Sequence, residues 1–590
     1  MGRKTTAALI LLQGLLAVAG SAETVLRYET RRITGFDPAK AMDVASSLAV
    51  SKIYEGLLQY SYLDRPYRVE ACLAESLPDI SADGTVYTFR IRHGVYFQDD
   101  PCFTLTKGKG RELCAADFIY AIKRIADLKV GSPGYWLFRD KIIGLDEFRA
   151  LSQSSGSTSY DTPVAGLEAP DSYTLRIRLK RPFPGLLWAL AMNFAYAVPH
   201  EAVEFYRDDF ISHPVGTGPY ILASHVHNYR LEFARNPKWR ETGRVDRYPS
   251  TGAMEDRQAG LLRDAGKPLP FIDRIVQVVV GDPSTQWLLF LSGKMDLSPL
   301  TRDNWDAVVT PDRALRSSLV ERGIVMNATP ALDTFYIGFN LSDAVVGTNR
   351  LLRQAMTAAF DRERWSRFQN GRVTAAVGPI PPSIRPAGNA QSPFPFDLDR
   401  ARRLMTEAGY PGGKDPVTGR RLELTLELGS GDSETREMAE VLASFMEKIG
   451  IVLNPSFNNW PSFLKKIEQR RAQLFYLSWV ADYPDPDNFL QLFYGPNETP
   501  GANRTNYKND EFDRLYQKAA MLAGAAEKQV VYARMEELVK QDCPWMFLHH
   551  SLTVSLRHDS LENYKIHDFP LGMVKYYRLD ESQKSSVLAK

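Results

Sequence analysis

Leu422-Glu423-Leu424-Thr425-Leu426-Glu427-Leu428 alternates apolar with polar residues at a period of two, the pattern of a strand with one face in a core. Gly429-Ser430-Gly431 then turns the chain, and Met438, Val441, Leu442, Phe445, Met446 and Ile449 recur on one face of a helix. Gly450 stops that helix and Ile451-Val452-Leu453 begins another strand. Strand, helix and strand in this order predict a parallel pair joined by a crossover. The same grammar occurs earlier, with Ile275 to Val280 as strand, Ser284 to Ser292 as helix, Gly293 as stop and Met295 to Leu297 as strand. Two such units so far apart predict two α/β lobes. Val86-Tyr87-Thr88-Phe89-Arg90-Ile91-Arg92 and Tyr173-Thr174-Leu175-Arg176-Ile177-Arg178-Leu179, each behind a turn signal, add a third, more β-rich region.

Outward from this frame, the N-terminus indicates the compartment. Arg3 and Lys4 precede an apolar stretch from Ala7 to Ala19, and Gly20-Ser21-Ala22 offers small residues for cleavage before Glu23, as in a secretory signal peptide. As a membrane anchor the run is short and broken by Gly14 and Gly20, and no nearby cysteine could carry a lipid. Removal of residues 1–22 leaves 568 of 590 residues, too many for one core, so two or three domains are expected. It also lowers Lys+Arg from 72 to 70, equal to the 70 Asp+Glu. A chain without net charge has no bulk attraction for nucleic acid or anionic membrane. No other apolar run approaches membrane length, and no heptads, low-complexity tracts or short repeats occur.

Four cysteines are too few for a disulfide scaffold, but an oxidising compartment favours a pair. Cys102 and Cys114 are the expected partners, bracketing the basic, flexible Lys107-Gly108-Lys109-Gly110-Arg111. A metal site there lacks CxxC spacing and a nearby histidine. Cys72 and Cys543 read equally as a second pair or as buried thiols.

Catalytic signatures are missing: there is no GxSxG elbow, HExxH, Walker loop or GxGxxG after a strand. Gly429-Ser430-Gly431 could cradle an anion, but a tight turn between strand and helix is its commoner meaning. His549-His550 is no metal pair on a strand, where adjacent side chains point to opposite faces. A carboxylate pair of the glycosidase kind is compatible with composition, yet no local context singles one out. The chain therefore reads as a binder and not an enzyme, with no cofactor expected. Its candidate receptor lies in Ser478-Trp479-Val480-Ala481-Asp482-Tyr483-Pro484-Asp485-Pro486-Asp487, after the strand-like Leu474-Phe475-Tyr476-Leu477. Pro484 and Pro486 forbid further strand pairing, which puts Asp482 at a strand end. A carboxylate among aromatics needs an Arg, a Lys, backbone donors or a ligand cation. Its bland meaning is a solvated turn acid, and that is the meaning assigned to Asp485 and Asp487.

Gly35-Phe36-Asp37-Pro38-Ala39-Lys40 followed by Ile53-Tyr54-Glu55-Gly56-Leu57 resembles the opening of the large solute-binding proteins that feed peptide ABC transporters, the oligopeptide- and dipeptide-binding proteins of family 5. The resemblance continues in order through Leu73-Ala74-Glu75-Ser76, Val215-Gly216-Thr217-Gly218-Pro219-Tyr220, Arg235-Asn236-Pro237-Lys238-Trp239 and Ser292-Gly293-Lys294-Met295-Asp296. Arg353-Gln354-Ala355-Met356 with Asp361-Arg362-Glu363, and Glu407-Ala408-Gly409-Tyr410, extend it along nearly the whole mature chain.

What the resemblance implies is an α/β fold of periplasmic-binding-protein type II, a clam-shell of two α/β lobes with mixed sheets plus a third, smaller β-rich domain. It implies domain I at 23–60, 205–330 and 549–590, domain II at 61–204 and domain III at 331–548. In the family the Trp-x-Ala-Asp-Tyr word places an aspartate, here Asp482, on the ligand's α-amine. Ser478 and Val480 would offer main-chain groups to an extended peptide, Trp479 and Trp460 would line side-chain pockets, and Val44 would face the ligand. Met42 stands where some relatives have an acid. Phe475, Tyr476 and Leu477 occupy positions where the oligopeptide branch can carry a basic residue for the ligand carboxylate, while Arg470 and Arg471 read as surface charges. The implied protein is a periplasmic monomer that takes up a peptide and passes it to the permease subunits of an ABC importer in the inner membrane, without nucleic-acid partners. Another solute on the same fold, such as a metal chelate, haem, an opine or an oligosaccharide, is the alternative, and an exported hydrolase a further one.

Overall fold

The computed structural model describes residues 23–580 and Ser582, apart from 155–157, 184, 240–244, 302–303, 387–389 and 523–524. The proposed signal peptide lies outside the described residues.

The strand that begins the sequence argument forms at Glu423–Leu428, and Asp432 caps the helix Ser433–Glu447 by accepting a hydrogen bond from the Thr435 N–H at 2.8 Å. Met438, Leu442, Phe445 and Met446 are buried on its inner face. Gly450 ends the unit at φ 86°, in the left-handed region. Its position is doubly restricted, since a Cβ there would lie 2.4 Å from the Gly412 carbonyl oxygen. The next strand, Val452–Phe457, pairs in parallel with Glu423–Leu428, as the crossover requires. Leu474–Val480 joins on the other side, and Asp333–Phe339 pairs antiparallel with it, which makes this sheet mixed.

In the other lobe the strands run in the order Tyr220–Val226, Arg230–Arg235, Arg274–Val279, Val25–Thr30, Leu297–Pro299 and Trp545–His558. The expected unit at 275–297 forms with one correction. Its second strand is Leu297–Pro299, and the N-terminal strand Val25–Thr30 lies between the two, parallel to both. The order of elements in sequence does not reveal a strand inserted from 250 residues away. The third region is a four-stranded antiparallel sheet in which Val86–Arg90 pairs with Thr174–Arg178, backed by the helix Ala115–Ala126.

One strand ties the two large sheets together. Trp545–His558 pairs with Asp333–Phe339 through Trp545 to His549, with Val373–Ala375 through His549 to Ser551, and with Ile324–Pro330 from Leu552 to His558. Its even-numbered residues Met546 and Leu548 enter one core and Val554 and Leu556 another. Leu26, Phe36, Tyr62 and Phe89 share the largest core, which joins the N-terminal lobe to the β-rich region.

Cys102 and Cys114 are not joined: both keep their thiols. The segment between them is an antiparallel hairpin closed by Leu113 N–H to Val95 O at 2.8 Å, Phe97 N–H to Arg111 O at 3.0 Å and Asp100 N–H to Gly108 O at 3.0 Å. This register puts Cys102 near the tip and Cys114 at the base, beside Gly94, so the thiols sit at opposite ends. Cys72 and Cys543 belong to different cores, with the Cys72 thiol 3.7 Å from Glu55 Oε1 and the Cys543 thiol donating to Lys540 O at 3.3 Å.

Candidate ligand-binding site

The strand Leu474–Val480 stops where Ala481 turns its N–H to Leu332 O at 2.8 Å, beside the link between the lobes. Asp482 follows and is half-buried. Its environment is organised by Asn488, which is fully buried. Asn488 Oδ1 accepts from Trp479 Nε1 at 2.9 Å and from the Asp482 N–H at 3.1 Å, while its Nδ2 donates to Asp482 Oδ2 at 3.2 Å. Sequence reasoning missed Asn488; the signal was available in the requirement that an acid among aromatics find a donor. Burial pushes the Asp482 carboxyl above the usual range, and the single neutral bond from Asn488 opposes the shift. Among the described residues no cation pairs with it.

Tyr60 of the opposite lobe faces this carboxylate. Burial first, and Asp482 second, hold its hydroxyl in the neutral form, and the hydroxyl is buried without a hydrogen-bond partner among the described residues. Its ring stacks between Phe569, with centroids 5.0 Å apart, and Trp188 at 5.7 Å. The site is thus an acid on one lobe opposite an aromatic wall on the other.

Asp485 and Asp487 are not solvated turn acids. Burial, and then Asp487, push the Asp485 carboxyl up to about 6. Burial likewise raises Asp487, which accepts from the Tyr483 hydroxyl at 2.9 Å and also bonds Tyr516. Tyr532 bonds Asp485. Both tyrosines come from helices beyond residue 509, Asp510–Met521 and Ala525–Asp542, which fold over the turn. Lys141 of the β-rich region also faces Asp487; burial lowers its ammonium to about 8 and Asp487 opposes the shift.

Glu423–Leu428 pairs with the acid-bearing strand only at Leu474 and Phe475. From Tyr476 to Val480 the strand carries a neighbour on one side alone. Its open edge includes Ser478 and the 66 % exposed Val480. Trp460 is 52 % exposed, seated over Gly429, where a Cβ would lie 2.7 Å from the indole. Gly429 is therefore a packing requirement of Trp460 rather than part of an anion cradle. On the other lobe Met42 and Val44 are 74 % and 72 % exposed, flanking Asp43, which caps the helix Val44–Ile53 through the Ser46 N–H at 2.8 Å.

His549 and His550 face different neighbours, Trp365 Nε1 at 3.0 Å and the Asp333 carbonyl at 2.6 Å. Burial lowers them to about 3 and about 4. No group of three or more metal-ligating side chains occurs among the described residues. Between the lobes, beside the shared strand, Trp305, Phe335, Gln369, Arg372, Tyr476 and His549 line a hollow of about 320 Å³. Arg470 is an exposed residue paired with Glu498 at 3.0 Å, and Arg471 is exposed as well.

Residues 68–501 match the sequence profile described as bacterial extracellular solute-binding proteins, family 5 Middle. Heme-binding protein A of Haemophilus influenzae is 25 % identical over 555 residues, covering 91 % of this chain and 88 % of that protein. Di/tripeptide-binding protein 2 of Pseudomonas aeruginosa is 24 % identical over 570 residues, covering 94 % and 95 %. Among solved structures, the periplasmic binding protein DppA of Helicobacter pylori in complex with the peptide STSA superposes with a TM-score of 0.65 at 24 % identity, covering 94 % of this chain and 98 % of that one. The fold is the type II periplasmic-binding-protein fold, with mixed sheets in both lobes.

Proposed function

Because the chain belongs to the bacterial extracellular solute-binding proteins of family 5, we propose that it captures peptides with a free N-terminal amine and delivers them to an ABC importer. One observation carries this reading: a half-buried carboxylate without a cation stands at the end of a strand whose edge is open from Tyr476 to Val480. An extended peptide supplies both missing parts. Its ammonium pairs with Asp482, and its amides extend the sheet along Ser478 and Val480. Trp479, Trp460 and Val44 bound the side chains, and the far end of the ligand points to the hollow where Arg372 lies with Tyr476. No chemistry is performed on the ligand.

Capture proceeds by closure. The lobes, taken as 23–60, 205–330 and 549–590 with 61–204 on one side and 331–548 on the other, rotate about residues 331–332 and 549–551. The ligand selects the closed form by its differential contacts with both lobes. The closed protein docks as a monomer on the inner-membrane permease, after export and cleavage near Ala22. No described helix is long and apolar enough to cross a membrane.

Calorimetry with a peptide and its N-acetylated form tests the amine receptor. Asp482→Asn is expected to weaken binding of the free-amine peptide by roughly 3 to 5 kcal/mol, the cost of removing one partner of a buried pair. Equal affinities for the two peptide forms would rule the role out. The likeness to a heme-binding protein supports haem as the second reading, and native mass measurement of the co-purified solute decides between them.

A further inference from the structure

The larger lobe holds a second pocket, of about 300 Å³, walled by Leu48, Leu297, Val554, Ile566 and Val574 together with prolines and tyrosines. Every residue of its lining comes from 23–60, 205–330 or 549–590, so its walls belong to one lobe. His567 separates it from the wall behind Asp482, packing on Tyr60 with centroids 5.9 Å apart.

Its polar groups are unbalanced. Lys52 is 2 % exposed, and its Nζ donates to Leu48 O of its own helix at 2.6 Å and lies near the rings of Tyr28 and Phe233, at 6.0 and 5.1 Å. No ion pair reaches it among the described residues, and burial alone lowers the ammonium to about 7. Tyr220 is also on the lining, and its hydroxyl is buried without a hydrogen-bond partner among the described residues. The other titratable groups do not redress this. Burial raises the half-buried Glu29 carboxyl, with Arg31 opposing the shift; His567 is pushed down to about 3; Lys575 donates to Gln59 Oε1 at 2.7 Å. Lys52 thus has a backbone acceptor but no anion among the described residues, and the carboxylate on the lining, Glu29, interacts instead with Arg31.

We propose that this pocket binds a small apolar molecule ending in one carboxylate, of the medium-chain fatty-acid class, with the carboxylate against Lys52 and Tyr220. The aliphatic and proline walls take the chain. At about 300 Å³ the pocket stands at the small end of the range for ligand pockets, which suits a molecule of the size of octanoate. The pairing restores to Lys52 the counter-charge that the fold withholds.

Octanoate, octanol and octylamine titrated calorimetrically into the purified protein test the assignment. Octanoate should bind with a stoichiometry of one, at least tenfold more tightly than either analogue, and Lys52→Met should lose at least tenfold of that affinity. Saturating peptide should leave octanoate binding unchanged. Octanol binding as tightly as octanoate, full affinity in Lys52→Met, or displacement by peptide would each overturn the proposal. If Lys52→Met does not fold, as judged by circular dichroism, the octanoate and octanol comparison on the unaltered protein decides.

Discussion

Asp37 and Asp482 are both carboxylates set in largely apolar surroundings, yet only one is satisfied by its own chain. Asp37 is 3 % exposed and receives two bonds from Arg124, Nη1 to Oδ1 at 2.9 Å and Nη2 to Oδ2 at 2.8 Å. Its Oδ1 also accepts the Ala39 N–H at 3.1 Å. Asp482 receives one bond from a neutral amide. The difference separates an architectural ion pair from a half-pair that awaits its cation: the first ties the N-terminal segment to the β-rich region, and the second is held ready by Asn488.

The largest effect should come from breaking the complete pair. Asp37→Asn leaves Arg124 buried and uncompensated, and chemical denaturation should report a loss of roughly 3 to 5 kcal/mol. Asp482→Asn should do the opposite to the unliganded protein. Its carboxyl is raised in the fold, so ionisation opposes folding above that raised pKa and has no effect below the unfolded value. Melting of Asp482→Asn should therefore match the parent at pH 3 and occur at higher temperature at pH 8. Lower melting at pH 8 would make Asp482 another structural acid.

Next in size is the support of the half-pair. Asn488→Ala removes the acceptor of Trp479 Nε1 and of the Asp482 N–H together with a donor to Asp482, and leaves them in a buried site. A stability loss of about 1 to 3 kcal/mol is expected, with peptide affinity falling in parallel. Unchanged affinity would show that Asn488 does not position the acid. A pH series sharpens the contrast further. An ammonium ligand pairs with ionised Asp482, so affinity should be level between the raised carboxyl pKa and the peptide α-amine pKa of about 8, and decline as pH falls through the former, while Asp482→Asn gives a flatter acid limb. The smallest effect on stability belongs to Trp460→Ala, within about 1 kcal/mol because half the side chain is already in water, with a several-fold loss of peptide affinity. Unchanged affinity would remove Trp460 from the site.

Much of this was legible in the chain because the signals were local. The period of two at Leu422 to Leu428, the apolar face from Met438 and the stop at Gly450 each depend on residues within a few turns, and the strand, helix and parallel strand formed accordingly. The position of Asp482 just beyond a strand was equally readable from Pro484 and Pro486. Part of what failed depended on distant chain. Asp485 and Asp487 look like turn acids until Tyr516 and Tyr532 close over them. The insertion of Val25–Thr30 between Arg274–Val279 and Leu297–Pro299 is a matter of three-dimensional order. Cys102 and Cys114 were paired by spacing, whereas the hairpin register between them sets them apart. The need of Asp482 for a donor is readable from its aromatic surroundings, but that Asn488 supplies it is not, because a buried amide and a turn amide look identical in sequence.

The strand Trp545–His558 belongs to both large sheets, and this imposes a parity rule on the hinge. Met546 and Leu548 point into one core and Val554 and Leu556 into the other, all even in number, across the link from His549 to Ser551. The pairing register steps by one residue between Phe547 and His549, opposite Tyr336 and Phe335, so a bulge at the near end of the link already takes up a single residue, and a further one not so absorbed would invert the side chains of one lobe relative to the other. A change of one residue in the hinge is thus admissible only where a bulge takes it up, and the phase between the two lobes is set at that bulge.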